Sequence, residues 1–285
     1  MSQQPVVLLE LDPSGVATAT LNRPEMGNAY NLDMLEQVIA GLERLAGDPA
    51  VRCLVIRGAG RHFQAGADIN WLNELGQNLK NPQIQDREFP DREFPDRELP
   101  DRALSASLTT TRALAMLNEF PKPTIAMVHG ACFGGGVGLV CCADVALATP
   151  DSLFGITEIR FGTAPTPIST HLVNAIGLRQ TRRYALTGER FDAAEARRIG
   201  LVHEVVAADA VEARLAEIID AILLGAPGAI ATIKNAILAD NGLTLSDSQI
   251  RLMAFEHNAA RNSPEGREGT SAFREKRKPT WYRPS

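Results

Sequence analysis

The segment KPTIAMVHGACFGGGVGLVCCAD, residues 122–144, decides the fold. It opens with an apolar run at 124–128 that predicts a buried strand, passes through a glycine-rich turn at 130–136, and becomes apolar again from Leu139. An earlier segment has the same construction: residues 51–56 predict a buried strand, and FQAGADI at 63–69 is a turn of small residues. A strand, a glycine turn and a helix start therefore occur twice, which indicates an α/β fold.

The flanking segments extend this pattern in both directions. Apolar runs at 6–11 and 16–21 are separated by DPSG, a turn sequence that predicts a hairpin, and Asn31 is a candidate N-cap for the helix that follows. Apolar residues at helical spacing predict helices at 211–224, 229–238 and 245–260. We expect an α/β core over residues 1–205 and a helical C-terminal region over residues 206–285.

A low-complexity insertion is predicted inside the core at residues 81–102. Its sequence QDREFPDREFPDRELPDR, at 85–102, repeats every five residues. Proline in each repeat prevents a continuous helix, and the charged residues favour solvation. We expect a mobile surface insertion without a catalytic role; the alternative is a lid over the active site.

Composition and charge narrow the classes of partner. The chain has 29 Lys and Arg against 34 Asp and Glu, a net charge of -5, which predicts no general attraction to nucleic acid or to an anionic membrane. We found no long apolar stretch, no leader-like N-terminus and no CxxC pair, so we expect no membrane association, reduced thiols and a cytoplasmic setting. No metal-ligand spacing occurs, so no metal site is predicted. His62, beside the first turn, is the one histidine that we retain for testing.

The two glycine turns can present backbone amides to a ligand. Small residues allow close approach, and a helix that begins after the turn leaves its first N–H groups without intrahelical acceptors. Two such turns side by side can bind one oxygen that becomes negatively charged in a transition state, and each donor can contribute about 3 to 4 kcal/mol. The alternative is that the glycines only let strands pack closely against helices.

Taken together, these segments resemble the enoyl-CoA hydratase/isomerase, or crotonase, superfamily. The resemblance is carried, in chain order, by LNRPEMGNAYN (21–31), IRGAGRHFQAGADI (56–69), residues 122–144, FGITEIRFGTAP (154–165) and ALTGERFDAAEARRIGLVHEVV (185–206). It implies a stack of ββα units with a helical C-terminal trimerisation region, in a homotrimer or homohexamer. It also implies an acyl-CoA substrate, with coenzyme A as part of the substrate and no separate cofactor.

The resemblance implies roles for individual residues. The backbone amides of Ala67 and Gly135 are expected to form the oxyanion hole, and Glu158 is expected to move protons. The apolar neighbours of Glu158 favour a pKa raised toward neutrality. The residues expected to contact the CoA substrate are Asn28, Ala29, Ala65, Gly66, Asp68, Ile69, Gly134, Gly138 and Lys276.

Gly138 is the main departure from the family pattern, because many hydratases of the family carry a first glutamate there. Residues 60–72, 157–169 and 272–281 are similar to bacterial methylglutaconyl-CoA hydratases and to isoprenoid-degradation relatives. We therefore expect a lyase that adds water across the 2,3 double bond of a branched or glutaconyl-type enoyl-CoA, with Glu158 as the single catalytic glutamate. The alternatives are an isomerase that uses Glu158 as a proton shuttle, and a non-catalytic CoA-binding scaffold.

Overall fold

The computed structural model describes residues 5–77 and 102–282, so the repeat insertion and its alternative role as a lid lie outside the described residues. The strands are β1 (Val7–Leu11), β2 (Val16–Leu21), β3 (Cys53–Gly58), β4 (Thr124–Val128), β5 (Ala131–Phe133), β6 (Val145–Ala148), β7 (Leu153–Gly155), β8 (Arg190–Asp192) and β9 (Glu204–Val205). The helices are α1 (Leu32–Gly47), α2 (Ile69–Gln77), α3 (Arg102–Asn118), α4 (Gly135–Cys142), α5 (Thr166–Thr187), α6 (Ala193–Arg198), α7 (Val211–Leu224), α8 (Pro227–Asp240), α9 (Asp247–Asn262) and α10 (Pro264–Arg274).

The larger sheet has the strand order β1-β2-β3-β4-β6-β9. The predicted hairpin of β1 and β2 is confirmed: the two strands are antiparallel, and the carboxylate of Asp12 accepts hydrogen bonds from the amides of Ser14 and Val16 in the turn. The remaining pairs in this sheet are parallel. Parallel strands covered on both faces need continuous apolar sequence, which explains why every residue of β4 is buried.

Helices cover the two faces of this sheet. On one face, Leu42 and Leu45 of α1 and Leu114 and Leu117 of α3 belong to the main core. On the other face, Leu215 of α7 packs against strand residues that point away from that core. The side chain of Asn31 accepts a hydrogen bond from the amide of Met34, so the predicted N-cap of α1 is confirmed.

A small second sheet, with the order β5-β7-β8, corrects one detail of the sequence interpretation. Residues 131–133 were expected to belong to a continuous turn, but they form β5, in which Cys132 pairs with Phe154 of β7. Three residues suffice because each pairs with a strand that is itself anchored in the core. This pairing brings the glycine turn that follows β5 next to the segment that follows β7.

The C-terminal region is helical, as expected, from α7 to α10, after the last strand ends at Val205. The division into two domains stays a prediction, as does trimerisation through this region. Within the described residues, no single helix has the length and apolar character to cross a membrane, and α7 and α8 meet that test only as a pair bent by 101°. All four cysteines are free, and burial raises the pKa of each thiol.

Candidate active site

The two glycine turns lie side by side because their preceding residues are paired. Gln64 and Cys132 form a parallel bridge, in which the amide of Gln64 donates to the carbonyl of Ala131 at 3.0 Å and the amide of Phe133 donates to the carbonyl of Gln64 at 2.9 Å. Ala67 and Gly135 each lie three residues beyond this bridge. The two predicted donors therefore emerge at matching positions of adjacent turns.

The peptide between Gly66 and Ala67 has a fixed orientation. The amide of Tyr30 donates to the carbonyl of Gly66 at 2.9 Å, and the amide of Asp68 donates to the carbonyl of Tyr30 at 2.8 Å. In a trans peptide the C=O and the next N–H point in opposite directions. The Ala67 N–H therefore points away from Tyr30.

Gly135, whose amide is the second predicted donor, is the first residue of α4, where an N–H group has no intrahelical acceptor. The preceding Gly134 has φ 54° and ψ -119°, a conformation that non-glycine residues rarely adopt. A Cβ atom at Gly134 would lie 2.9 Å from Oε1 of Glu158. Glycine at this position thus permits both the turn and the close approach of the glutamate carboxyl group.

Glu158 begins a short 3-10 turn, Glu158–Phe161, directly after β7. Its backbone carbonyl accepts hydrogen bonds from the amide and the hydroxyl of Thr163, which fix the turn. Its Oε2 is buried and has no hydrogen-bond partner among the described residues. Burial raises the pKa of Glu158 to about 7, against the opposing effect of nearby backbone N–H groups. A carboxyl group with this pKa can both accept and donate a proton at neutral pH.

Helix α10, which lies in the predicted helical region although its bounds were not predicted, packs directly on this turn. Gly162 has φ 68°, and a Cβ atom there would lie 2.2 Å from the carbonyl oxygen of Glu265. A Cβ atom at Gly269 would lie 2.3 Å from the carbonyl carbon of Phe161. The backbones approach this closely only because both positions are glycine, so the C-terminal helix holds the Glu158 turn in place.

Tyr30 is a site residue that sequence reasoning missed. A Cβ atom at Gly135 would lie 2.7 Å from Cε1 of Tyr30, so the ring covers the start of α4. The ring also makes an edge contact with Trp71 at 5.9 Å, and Trp71 packs against Leu75 and Ala106. Together these side chains form an apolar wall beside the paired turns. The signal in the sequence was an aromatic residue before a helix cap, which by itself is uninformative.

The charges near Tyr30 come from two sides. Burial raises the pKa of the Tyr30 hydroxyl, the Glu158 carboxylate raises it further, and the guanidinium of Arg261 opposes both. Arg261 lies on α9, is 6% exposed, and donates to the side chain of Asn258 at 2.9 Å. The Tyr30 hydroxyl is thus within electrostatic reach of both a positive charge and the Glu158 carboxyl group.

A side chain at Gly138 would project toward α5 and α3. Gly138 is buried in α4, and a Cβ atom there would lie 2.4 Å from Cγ2 of Ile168 and 3.3 Å from Cδ2 of Leu114. Ile168 of α5 therefore occupies the space into which a side chain at Gly138 would project. Apolar side chains thus cover the side of Gly138 on which a Cβ atom would lie, and its expected contact with the substrate stays a prediction.

Asn28 was expected to contact the substrate, but its side chain is used inside the protein. It is fully buried with φ 57°, and its amide nitrogen donates to the carbonyls of Ala59 and His62. Its carbonyl oxygen accepts from the amide of Arg23. Nδ1 of His62 in turn accepts a hydrogen bond from the amide of Ala131 at 3.0 Å, so both side chains hold turns together. A substrate contact by Asn28 stays a prediction.

Asp68 likewise has internal partners. Its carboxylate accepts from Asn70 at the start of α2 and forms an ion pair with Arg23 at 2.8 Å, and Arg23 also donates to the carbonyl of Ala29. These contacts tie residues 23–30 to the first turn. Ala29 is buried, whereas Ala65 and Ile69 are half-buried beside the turn. Substrate contacts by these residues stay predictions.

Lys276 lies after α10 with its side chain exposed. Of the neighbouring cations, Arg277 forms ion pairs with Glu268 and Glu275, and the ammonium of Lys278 lies 5.1 Å from the ring centre of Tyr282. The contact of Lys276 with CoA stays a prediction. Among residues 5–77 and 102–282, no group of three or more His, Cys, Asp or Glu side chains is arranged to hold a metal ion.

The model of one protein family, described as enoyl-CoA hydratase/isomerase, matches residues 12–89 and 97–284 of the chain. The chain belongs to the enoyl-CoA hydratase/isomerase family. Its expected crotonase fold is confirmed by a crystal structure of an enoyl-CoA hydratase from Mycobacterium avium, with a TM-score of 0.80 and 31% identity over 98% of this chain and 100% of that chain.

Two further proteins to which the chain is similar show the breadth of the similarity. Pseudomonas aeruginosa AtuE is 36% identical with a TM-score of 0.73, over 98% of this chain and all of that chain. The peroxisomal Delta(3,5)-Delta(2,4)-dienoyl-CoA isomerase of Arabidopsis thaliana is 30% identical over 67% of this chain and 66% of the isomerase. Both hydratases and isomerases are therefore among the relatives, and the narrower similarity to methylglutaconyl-CoA hydratases stays a prediction.

Proposed function

We propose that this chain is an enoyl-CoA hydratase, a lyase that adds water across the 2,3 double bond of a branched or glutaconyl-type enoyl-CoA. The observation that carries the proposal is the position of Glu158, whose carboxyl group lies against Gly134 at the start of α4, with a pKa of about 7. The adjacent amides of Ala67 and Gly135 suit the negatively charged oxygen of a thioester enolate.

In the proposed mechanism, the thioester oxygen accepts hydrogen bonds from the Ala67 and Gly135 amides, which polarise the conjugated double bond. Glu158 in its ionised form accepts a proton from a water molecule as the water oxygen bonds to C3. The electrons of the double bond move onto the thioester oxygen, giving the enolate. Protonated Glu158 then returns the proton to C2, so that one water is added and the carboxylate is regenerated.

The use of a single glutamate is supported by the surroundings of Gly138. Position 138 is glycine, and a glutamate there would clash with Ile168, which occupies the adjacent space. The unpaired and buried Oε2 of Glu158 is available, in the described residues, for the incoming water. One carboxyl group with a pKa near neutrality can perform both proton transfers in sequence.

The substrate class is supported by the buried cation on α9. Arg261 lies within electrostatic reach of Tyr30, whose ring covers the start of α4. A guanidinium in a buried setting favours a carboxylate more strongly than one in water does. A glutaconyl-type acyl group carries such a carboxylate at its distal end, whereas a crotonyl group does not.

The second candidate function is enoyl-CoA isomerisation. The observation that favours it is the same apolar covering of Gly138 by Ile168, because one carboxyl group suffices to move a proton between C2 and C4 of an enolate. A non-catalytic CoA-binding scaffold is the third candidate. The raised pKa of Glu158 speaks against it, because a binding module has no use for a buried acid.

The deciding experiment incubates the purified protein with crotonyl-CoA, methylglutaconyl-CoA and a 3-enoyl-CoA. Loss of the enoyl-thioester absorbance with a mass gain of one water supports the hydratase, and faster turnover of methylglutaconyl-CoA supports the substrate class. Conversion of the 3-enoyl-CoA to its 2-enoyl isomer at unchanged mass, without hydration, replaces the proposal by the isomerase. No turnover of any of the three thioesters, with CoA binding retained, leaves the scaffold.

We further propose that the protein is a homotrimer or homohexamer. Three large apolar side chains of α7 and α8 are more than half exposed in the single chain: Leu224, Ile233 and Ile237. Apolar side chains grouped on adjacent helices are typical of subunit interfaces. Light scattering after size-exclusion chromatography tests this proposal, and a monomer at micromolar concentration contradicts it.

A further inference from the structure

Gln64 is buried between the two glycine turns, with 1% of its surface exposed, and its side-chain amide bonds twice to one residue. Its Oε1 accepts a hydrogen bond from the amide of Gly66 at 2.9 Å, and its Nε2 donates to the carbonyl of Gly66 at 3.2 Å. The two peptide units that flank Gly66 are therefore both held by a single side chain.

Gly66 is a position at which such a restraint matters. Its φ of 98° lies in a region that glycine adopts easily, and with no Cβ atom the residue has many accessible conformations. The carbonyl that Gln64 and Tyr30 hold belongs to the same peptide as the Ala67 N–H. If this peptide rotated, a carbonyl oxygen would replace the N–H that faces the thioester oxygen.

Gln64 also touches the second turn. Its backbone is bonded to Ala131 and Phe133, and a Cβ atom at Gly136 would lie 2.6 Å from its Oε1. The side chain therefore sits between the first turn and the start of α4. This contact sets the separation between the two predicted amide donors as well as the orientation of one of them.

We propose that Gln64 is a positioning residue that aims the Ala67 N–H at the thioester oxygen and fixes its distance from the Gly135 N–H. This inference rests on the proposed use of the two amides as an oxyanion hole. It predicts that Gln64 acts on the bound carbonyl and on the transition state, and that CoA binding itself is unaffected, since the side chain is buried behind the turn.

The test variant is Gln64→Met, which keeps the length of the side chain and removes both hydrogen bonds. Loss of one oxyanion-hole donor costs about 100- to 1000-fold in kcat, so a misaimed donor should lower kcat about 10- to 100-fold with KM nearly unchanged. Gln64→Glu, at a pH where the carboxylate is ionised, retains the acceptor for the Gly66 amide and lacks the donor. It provides the test if Gln64→Met does not fold.

The matched control is Asn118→Leu. Asn118 is another buried amide, 9% exposed, that donates to a backbone carbonyl, that of Leu243 at 3.0 Å, near the end of α3. Its substitution removes a comparable hydrogen bond away from the paired turns. We expect it to reduce stability and to leave kcat unchanged.

A readout independent of turnover is the carbonyl stretch of crotonyl-CoA carrying ¹³C at the thioester carbon, bound to Glu158→Gln protein. Binding should lower the frequency, and adding Gln64→Met should return it toward the value in solution, whereas adding Asn118→Leu should not. An unchanged frequency on adding Gln64→Met overturns the positioning role. No lowering on binding to Glu158→Gln protein overturns the oxyanion hole and the positioning role together. If Gln64→Met changes the frequency but the unsubstituted protein hydrates no enoyl-CoA, the hydratase proposal is refuted and the positioning role of Gln64 is retained.

Discussion

Replacement of Glu158 by glutamine should change how the stability of the protein depends on pH. In the folded protein, burial raises the pKa of Glu158 to about 7 from its ordinary value of 4.5. Because the folded pKa lies above the unfolded one, the unfolded state releases this proton at lower pH. The free energy of unfolding therefore falls as pH rises from the unfolded pKa to the folded pKa, and this contribution is constant above about pH 7.

The magnitude follows from the difference between the two pKa values, which corresponds to a cost of about 3 kcal/mol for the ionised carboxylate at high pH. Between about pH 5 and pH 8, Glu158 should reduce the free energy of unfolding by about 2 kcal/mol. Glu158→Gln removes this contribution at every pH. The stability of the variant relative to the unsubstituted protein should therefore increase by about 2 kcal/mol over the same interval.

The assay is urea denaturation of both proteins at about pH 5 and pH 8, at one protein concentration so that oligomerisation contributes equally. Comparing the two proteins cancels the other titrating groups, and a constant penalty for the glutamine amide does not affect the pH dependence. Glu10→Gln, an exposed position on β1, controls for the loss of one negative charge. A pH dependence of Glu158→Gln equal to that of the unsubstituted protein refutes the raised pKa.

The same pKa predicts that kcat/KM for hydration rises as the pH passes through about 7, because the ionised Glu158 carboxylate accepts the proton of water. Glu158→Gln should lose most of the hydration activity and bind CoA normally. Gly138→Ala should reduce the free energy of unfolding by about 1 to 3 kcal/mol because the new methyl group clashes with Ile168. In protein that also carries Ile168→Ala, the same substitution should have almost no effect on the free energy of unfolding. Equal effects in the two proteins, measured by urea unfolding, contradict the clash. Arg261→Met should lower the ratio of kcat/KM for methylglutaconyl-CoA to kcat/KM for crotonyl-CoA about tenfold or more. Arg251→Met, on the exposed side of the same helix, should leave this ratio unchanged. An unchanged ratio in Arg261→Met excludes the guanidinium from substrate selection. Asn28→Ala should reduce the free energy of unfolding by about 2 to 4 kcal/mol because three buried backbone groups lose their hydrogen bonds. A reduction below about 1 kcal/mol in urea unfolding contradicts the stabilising role of these bonds.

The sequence by itself was sufficient for the elements with strong local signals. The DPSG turn, the Asn31 cap and the apolar runs of β3 and β4 each depend on contacts within a few residues, and all of them form as predicted. The family was also evident from the order of its motifs, because motif residues are adjacent in the chain. The raised pKa of Glu158 was predicted for the same reason, since its apolar neighbours are next to it in sequence.

Other features depend on residues that are far apart in the chain, and only the tertiary structure decided them. Ile168 covers Gly138 because α4 and α5 pack together, and Tyr30 covers Gly135 because residue 30 pairs with the first turn. Asn28 was assigned to the substrate because its motif suggested a ligand, yet a polar side chain enclosed by the fold must bond to buried backbone groups. Local patterns show which chemistry a residue can perform, whereas packing decides which groups that residue meets.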